Sequence, residues 1–256
     1  MANLTWLKKY NLLIFDEIDS TNSEALRLAR VCRIGNFVVW ARSQTSGRGR
    51  QGSVWESGRG NLFLSILLNE NIPISKQPQM SFVTALAAFD LIYSLTRKAS
   101  LSPDIKLKWP NDILVNGKKI SGILLESLSF NDNTSLVVGI GVNVKTTPDN
   151  VNQAITSLAD EGVSNVELEE VINNFILNFE KYCSIWQQSG FIEIRKLWLK
   201  KAAKLNEVIS VDDGKDKITG IFKDIDFSGG IRLRAADGKI HSLPAGQVFF
   251  GDDNNE

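Results

Sequence analysis

Hydrophobic and polar positions divide the 256-residue chain into two textures. As far as about Leu205, apolar runs of strand length alternate with longer segments of helical period. Beyond it, short β-rich runs (208–211, 218–225, 231–234, 240–243 and 247–250) alternate with Asp, Gly and Ser turns. In the first part, residues 12–18 predict a strand. Ser20, Thr21 and Asn22 then offer three cap-type side chains ahead of a helical stretch, 23–30. Residues 37–41 and 61–68 predict buried strands, and 81–97 a buried helix. Residues 107–115 and 118–126 read as two strands of a hairpin around Asn116-Gly117, because a type I′ turn needs positive φ at both central positions. Residues 136–144 form an apolar strand that carries Gly139 and Gly141, where glycine points to close backbone approach by a ligand. In 166–186, Leu168, Val171, Phe175, Phe179, Tyr182 and Trp186 recur at helical spacing. The whole predicts an α+β main domain, 1–204, followed by a small β-barrel domain, 205–256.

Composition narrows the class. Lys and Arg balance Asp and Glu, 29 against 29, so no global field draws the chain to nucleic acid or an acidic membrane. Cys32 and Cys183 lie far apart without metal-ligand spacing, which argues against a disulfide framework and suits a reducing cytoplasm. The lone His241 cannot build a histidine metal site and reads as a satisfied surface or loop residue. The N-terminus lacks the form of a secretory signal, and the most apolar stretch, 82–95, is interrupted by Asp90 and short for a bilayer.

Candidate chemistry concentrates in two places. Residues 47–52 pack three glycines and two arginines into six positions. Such a loop brings backbone N–H groups and planar guanidinium forks to an anion, most simply a phosphate. Downstream, hairpin alternation places Asp112, Leu114, Lys119 and Ser121 on one face, with Asp112 and Lys119 as diagonal neighbours in reach of a shared ligand. One carboxylate able to hold Mg²⁺, one Lys and two Arg are the parts nucleotidyl transfer needs. Each has a plainer reading as well. The glycine loop reads as solvated, Lys118-Lys119 as an exposed hairpin end, and Asn111-Asp112 as a turn. Ser20-Thr21-Asn22 reads as a helix cap, and Trp55 as core. Neither loop has the form of a Walker A or Rossmann fingerprint.

Five blocks occur in order: Asp19-Ser20-Thr21-Asn22; residues 44–52 followed by Trp55; Lys108-Trp109-Pro110-Asn111-Asp112; residues 119–124; and Gly139-Ile140-Gly141-Val142-Asn143. Together they resemble the biotin protein ligase family, whose members attach biotin to biotin-dependent carboxylases. The resemblance runs from about Leu12 to the C-terminus. It implies a mixed β-sheet catalytic domain of the biotin/lipoate ligase type packed with helices, then a small SH3-like barrel. It also implies ATP and biotin as substrates, Mg²⁺, a biotin carboxyl carrier domain as acceptor, and biotinyl-5′-AMP as intermediate. Residue by residue, Ser20, Thr21 and Asn22 would hold the biotin rings. Gln44, Gly47, Arg48 and Lys119 would hold its tail and carboxylate, with Gly122, Gly139 and Gly141 lining the pocket. Arg48, Gly49 and Arg50 would wrap the phosphates, and Trp55 would order the loop. Lys108, Asn111, Asp112 and Asn143 would serve ATP and Mg²⁺, so Lys119, Arg48 and Asp112 would carry the chemistry.

Two departures qualify the resemblance. Many members carry a basic residue where this chain has Ser53, which bears on retention of the adenylate. About twenty residues precede the Ser-Thr-Asn block, short for the winged DNA-binding domain of some members, so sequence-specific DNA binding is not expected. An edge-strand homodimer is compatible with the architecture. The rival readings are a lipoate ligase or octanoyl transferase of the same superfamily, and a non-catalytic biotin-binding regulator.

Overall fold

The computed structural model describes residues 8–31, 35–130, 133–148 and 153–250. Seven strands form one mixed sheet. They are β1 (Tyr10–Phe15), β2 (Asn36–Ala41), β3 (Leu62–Leu68), β4 (Ile105–Lys108), β5 (Asp112–Val115), β6 (Lys118–Phe130) and β7 (Asn133–Val142), ordered β1-β2-β3-β7-β6-β5-β4. Among the described strand-to-strand pairs of this sheet, β1–β2 alone is parallel; α1 (Thr21–Val31) makes its crossover. Interior strand β3 is buried at every position, which is why its sequence is apolar on both faces except at Ser65 and does not alternate.

Helices cover both faces. Ala25 and Ala29 of α1 pack on Val39, Leu67 and Val137 on one side. On the other, α2 (Gln79–Lys98) and α3 (Leu168–Leu199) join the main core. The α2 segment is longer than the apolar stretch read from sequence. By length and composition it is apolar enough to cross a bilayer, yet 67% of that window is buried inside the fold, as in a core helix. Helix α3 runs well past Trp186. Gly190 (φ 69°, ψ −173°) breaks its geometry, and the chain resumes to bury Phe191, Ile194 and Trp198. Trp198 meets Phe82 and Phe222 edge-on, tying α2 and α3 to the C-terminal strands.

Those strands are β8 (Val208–Asp212), β9 (Lys217–Ile225), β10 (Ile231–Arg234), β11 (Ile240–Leu243) and β12 (Gln247–Phe250), an antiparallel sheet ordered β11-β10-β9-β8-β12. They fall where the short alternating runs predict. His241 is a partly exposed residue of β11. Cys183 is free, with burial pushing its thiol pKa up, and Cys32 lies outside the described residues.

Two expectations need correction in the hairpin region. Residues 107–115 are not one strand: Trp109-Pro110-Asn111 turn the chain, so β4 pairs back on β5 with Lys108 opposite Asp112. Proline lacks the N–H that a continuous ladder would require there. The tip is as predicted, with Asn116 at φ 50° and Gly117 at φ 79°. A register shift between Ile113 and Leu114, however, sets Ser121 opposite buried Ile113 and brings Gly122 opposite Asp112. Ser121 therefore leaves the predicted face and donates to the Gly141 carbonyl at 2.7 Å.

Candidate active site

The α1 side of the sheet carries a cavity of about 500 Å³. Its floor is built from glycines. On β7, a Cβ at Gly139 would lie 2.1 Å from Asn22 Oδ1, and one at Gly141 2.4 Å from the Trp55 ring. Across the ladder, Gly122 pairs with Gly141, and a Cβ there would meet the same ring at 2.9 Å. Real Cβ contacts do not approach so closely, so any other residue would push these side chains off the strands.

The wall above Gly139 is a closed set of polar groups. Ser20 precedes α1 and its Oγ accepts from the Ser23 backbone at 3.4 Å, so the cap reading holds for Ser20, while Thr21 and Asn22 open the helix. Arg27 forks onto Asp19 at 2.7 and 2.9 Å, and this pairing, opposed by slight burial, lowers the Asp19 pKa to about 2. Gln44 Oε1 accepts from Thr21 N at 2.8 Å and Thr21 Oγ1 at 3.1 Å, while its Nε2 donates to Ser57 Oγ at 2.8 Å. Ser65 of β3 donates to Asn22 Oδ1 at 2.6 Å, and Asn22 Nδ2 donates to Glu126 Oε2 at 2.8 Å. Ser20, Thr21 and Asn22 are each 4% exposed or less, and each lines the cavity with Gln44.

Charge gathers around Trp55. Lys119 Nζ lies 5.5 Å from the Trp55 ring centre and 2.8 Å from Asp112 Oδ1, both charged side chains being 17% exposed. The ammonium ion-pairs with that carboxylate, and Asp112 Oδ1 is a buried oxygen with no hydrogen-bond partner beyond it. Beyond it, Arg50 Nη1 reaches Asn111 Oδ1 and the Gly246 carbonyl, each at 3.4 Å. Burial pulls the Arg50 pKa down, while the Asp112 charge opposes the shift. Lys108 Nζ sits 4.7 Å from the Phe250 ring centre. Four cations, Arg48, Arg50, Lys108 and Lys119, thus line the cavity, with Asp112 paired to Lys119 and Glu126 paired to Arg48 at its edge, a net positive balance suited to a polyanion.

The glycine–arginine loop is folded on itself. Trp55 N donates to Gly47 O at 3.0 Å, Gly49 N to Ser53 O at 2.7 Å, and Ser53 Oγ to Arg50 O at 2.8 Å, closing a 3₁₀ turn over Arg50–Gly52. Gly49, Arg50 and Trp55 line the cavity. Ser53, the departure from the family pattern, serves here as a clasp within the loop.

Two predicted site residues stand apart from the cavity wall. Gly47 is buried under the loop, where a Cβ would meet Trp55 O at 2.2 Å, so it is a packing glycine. Asn143 is 3% exposed and spends its side chain on Thr156 O at 3.0 Å, holding the segment after β7. The remaining predicted residues converge: Arg48, Lys108, Asn111, Asp112, Lys119, Gly122, Gly139 and Gly141 all face the cavity. Sequence reasoning missed Gln153, Gly246 with the first residues of β12 (Gln247 and Val248), and the Glu126 contact. For Glu126 a signal existed: strand alternation sets it on the face of Gly122 and Leu124, where a charge in an apolar run stands out.

The sheet, its glycine floor and the cationic loop define the class. Residues 16–143 match the biotin/lipoate A/B protein ligase family, and 204–251 match the biotin protein ligase C terminal domain. The biotin–[acetyl-CoA-carboxylase] ligase of Paracoccus denitrificans is 38% identical over 91% of this chain and 98% of its own length. The bifunctional ligase/repressor BirA of Bacillus subtilis is 34% identical over 91% of this chain and 72% of its own. Among solved structures, the Aquifex aeolicus biotin protein ligase in complex with biotin and ATP superposes with a TM-score of 0.76 at 29% identity, covering 93% of this chain and 97% of that one. The Leishmania major enzyme in complex with biotinyl-5-AMP gives 0.64 at 26% identity, covering 92% and 99%. The chain belongs to the biotin protein ligase family.

Proposed function

We propose that this protein joins biotin to the α-phosphate of ATP, releasing pyrophosphate and forming biotinyl-5′-AMP, and then transfers the biotinyl group to a lysine of a biotin carboxyl carrier domain, such as that of acetyl-CoA carboxylase. One observation carries the reading: a single cavity runs from the Thr21–Asn22–Gln44 polar wall, over glycines 139, 141 and 122, to the cations around Trp55 and Asp112. That order suits a ligand with a polar ring, an apolar tail and a carboxylate to be activated.

In this reading Ser20, Thr21 and Asn22 hold the rings, and the glycine floor takes the tail. Lys119 and Arg48 draw the biotin carboxylate and the α-phosphate together. The carboxylate is ionised at neutral pH, so the demand is for charge stabilisation and not for a general base. Arg50, Lys108 and Asn111 serve the nucleotide, and the Gly246 turn closes that end, which gives the C-terminal domain a part in holding ATP. Among the described residues no three His, Cys, Asp or Glu side chains cluster as a ready metal site. A nucleotide-held Mg²⁺ needs few protein ligands, and the Asp112 carboxylate, whose buried Oδ1 is met by Lys119 and by no further hydrogen-bond donor, fits one. There the ion would offset phosphate charge. The closed loop would keep water from the mixed anhydride until the acceptor lysine attacks it and AMP leaves.

Mass spectrometry of a carrier domain incubated with this protein, ATP and Mg²⁺ tests the reading, with biotin, lipoate or octanoate in parallel. An ATP-dependent gain matching biotin is the expected result. A gain with lipoate or octanoate instead, or tight biotin binding with no transfer, would replace it.

A further inference from the structure

Glu126 has no part in the roles argued so far, yet it sits where the two halves of the cavity meet. Its Oε2 accepts from Arg48 Nη2 at 2.7 Å and from Asn22 Nδ2 at 2.8 Å. Asn22 belongs to the ring wall and Arg48 to the phosphate loop, 26 residues apart in sequence and in separate elements. A single carboxylate oxygen therefore fixes one group from each. On the Asn22 side it sets the amide: with Nδ2 turned to Glu126, Oδ1 faces Ser65 and the bare Cα of Gly139. On the Arg48 side it takes one N–H, and the remaining donors of the guanidinium fork are left for a phosphate oxygen.

We propose that Glu126 is a positioning residue that ties Arg48 to Asn22, so that seating the biotin ring and ordering the phosphate loop reinforce one another. The inference rests on the biotin-adenylation reading. An arginine whose direction is set before the ligand arrives loses less freedom on binding, so the tie favours retention of the adenylate. Opposing it is the repulsion between a carboxylate and the incoming phosphate. Arg48 lies between the two in this role, and Glu126 at 23% side-chain exposure is partly screened, so the anchoring effect is the larger.

The test measures escape of chemically synthesised biotinyl-AMP from the full-length protein, so it does not require turnover. Wild type, Glu126→Gln, Arg48→Ala and the double variant form a cycle, each first checked for an unchanged thermal midpoint. Escape from Glu126→Gln is expected to rise about tenfold, since Arg48 is 40% exposed and its ion pair partly screened. The double variant is expected to release no faster than Arg48→Ala alone, because both changes break one linkage. Glu126→Asp, with the charge on a shorter stem, should recover part of the retention, and it stands in for the Gln variant in the cycle if that one does not fold. Escape at the wild-type rate, or effects that multiply in the double variant, would overturn the inference. So would slower escape, which would make Glu126 a competitor for Arg48. Wild type that binds neither biotin nor biotinyl-AMP would instead overturn the functional reading on which this one stands.

Discussion

Gly139→Ala is the substitution whose effect the structure states most directly. The new methyl would lie 2.1 Å from Asn22 Oδ1 and 2.8 Å from its Cγ. Ordinary contact begins near 3.4 Å, so the amide must retreat by roughly 1 Å or more. Asn22 is 4% exposed, so its amide can give way only into the cavity it lines. A move of that size breaks the 2.6 Å bond from Ser65 and the 2.8 Å bond to Glu126. The first is neutral and worth about 1 kcal/mol, and the second involves a carboxylate, worth about 1.5–3 kcal/mol. Overpacking of a closed site costs about 1–3 kcal/mol and overlaps with the same displacement. The net expectation is about 3 kcal/mol, on the order of a hundredfold if taken wholly in biotin affinity. Calorimetric titration with biotin and urea denaturation together capture it, whichever way it divides. Gly58→Ala is the control: its Cβ would meet nothing within 4 Å, so it should leave binding unchanged and stability neutral to about 1 kcal/mol higher. Gly139→Ala with biotin affinity within twofold and stability within about 0.5 kcal/mol of wild type would show that the glycine floor is not closed by Asn22, and the geometric argument would fail.

Three further expectations follow the same logic. Lys119→Ala removes the ammonium from the carboxylate-activation point, so biotin-dependent pyrophosphate release should fall by about 10²–10³; a loss under threefold would take Lys119 out of the chemistry. Ser53→Arg trades the loop's internal clasp for a third cation and should slow the escape of biotinyl-AMP, so an unchanged off-rate would show that Ser53 is neutral to retention. Arg27→Ala removes the main cause of the lowered Asp19 pKa. A depressed carboxylate pKa contributes stability above its unfolded value of 3.8 that is lost as pH falls towards about 2. The gap in urea midpoint between wild type and variant should therefore be present at pH 6 and close near pH 2; a gap that persists at pH 2 would assign it to packing instead.

Local chemistry was enough to set much of this protein. The Asn116-Gly117 turn, the start of α1 at its capping serine, the buried run of β3 and the period-two C-terminal strands follow from φ preferences, side-chain hydrogen bonding and burial periodicity, all properties of neighbouring residues. The glycine loop and the glycines of β7 announced a ligand for the same reason, since glycine carries a cost unless a backbone must come close. What only the tertiary structure decided lies in contacts between distant residues. Trp109-Pro110-Asn111 turns where an apolar pattern suggested continuity, because Lys108 pairs back on Asp112 and the Trp109 indole donates to Gly229, 120 positions away. The register shift near Leu114 sends Ser121 into the core, an outcome of ladder geometry that no alternation count reveals. Asn143 sits in a site-like block, yet its amide is spent on Thr156. Glu126 joins residues 78 and 104 positions earlier, and Arg50 reaches a carbonyl 196 positions later, just before β12. A hydrogen bond depends on distance and direction in space, and once the chain has folded these are set by how the sheet, the loop and the C-terminal strands pack together, which no stretch of neighbouring residues encodes.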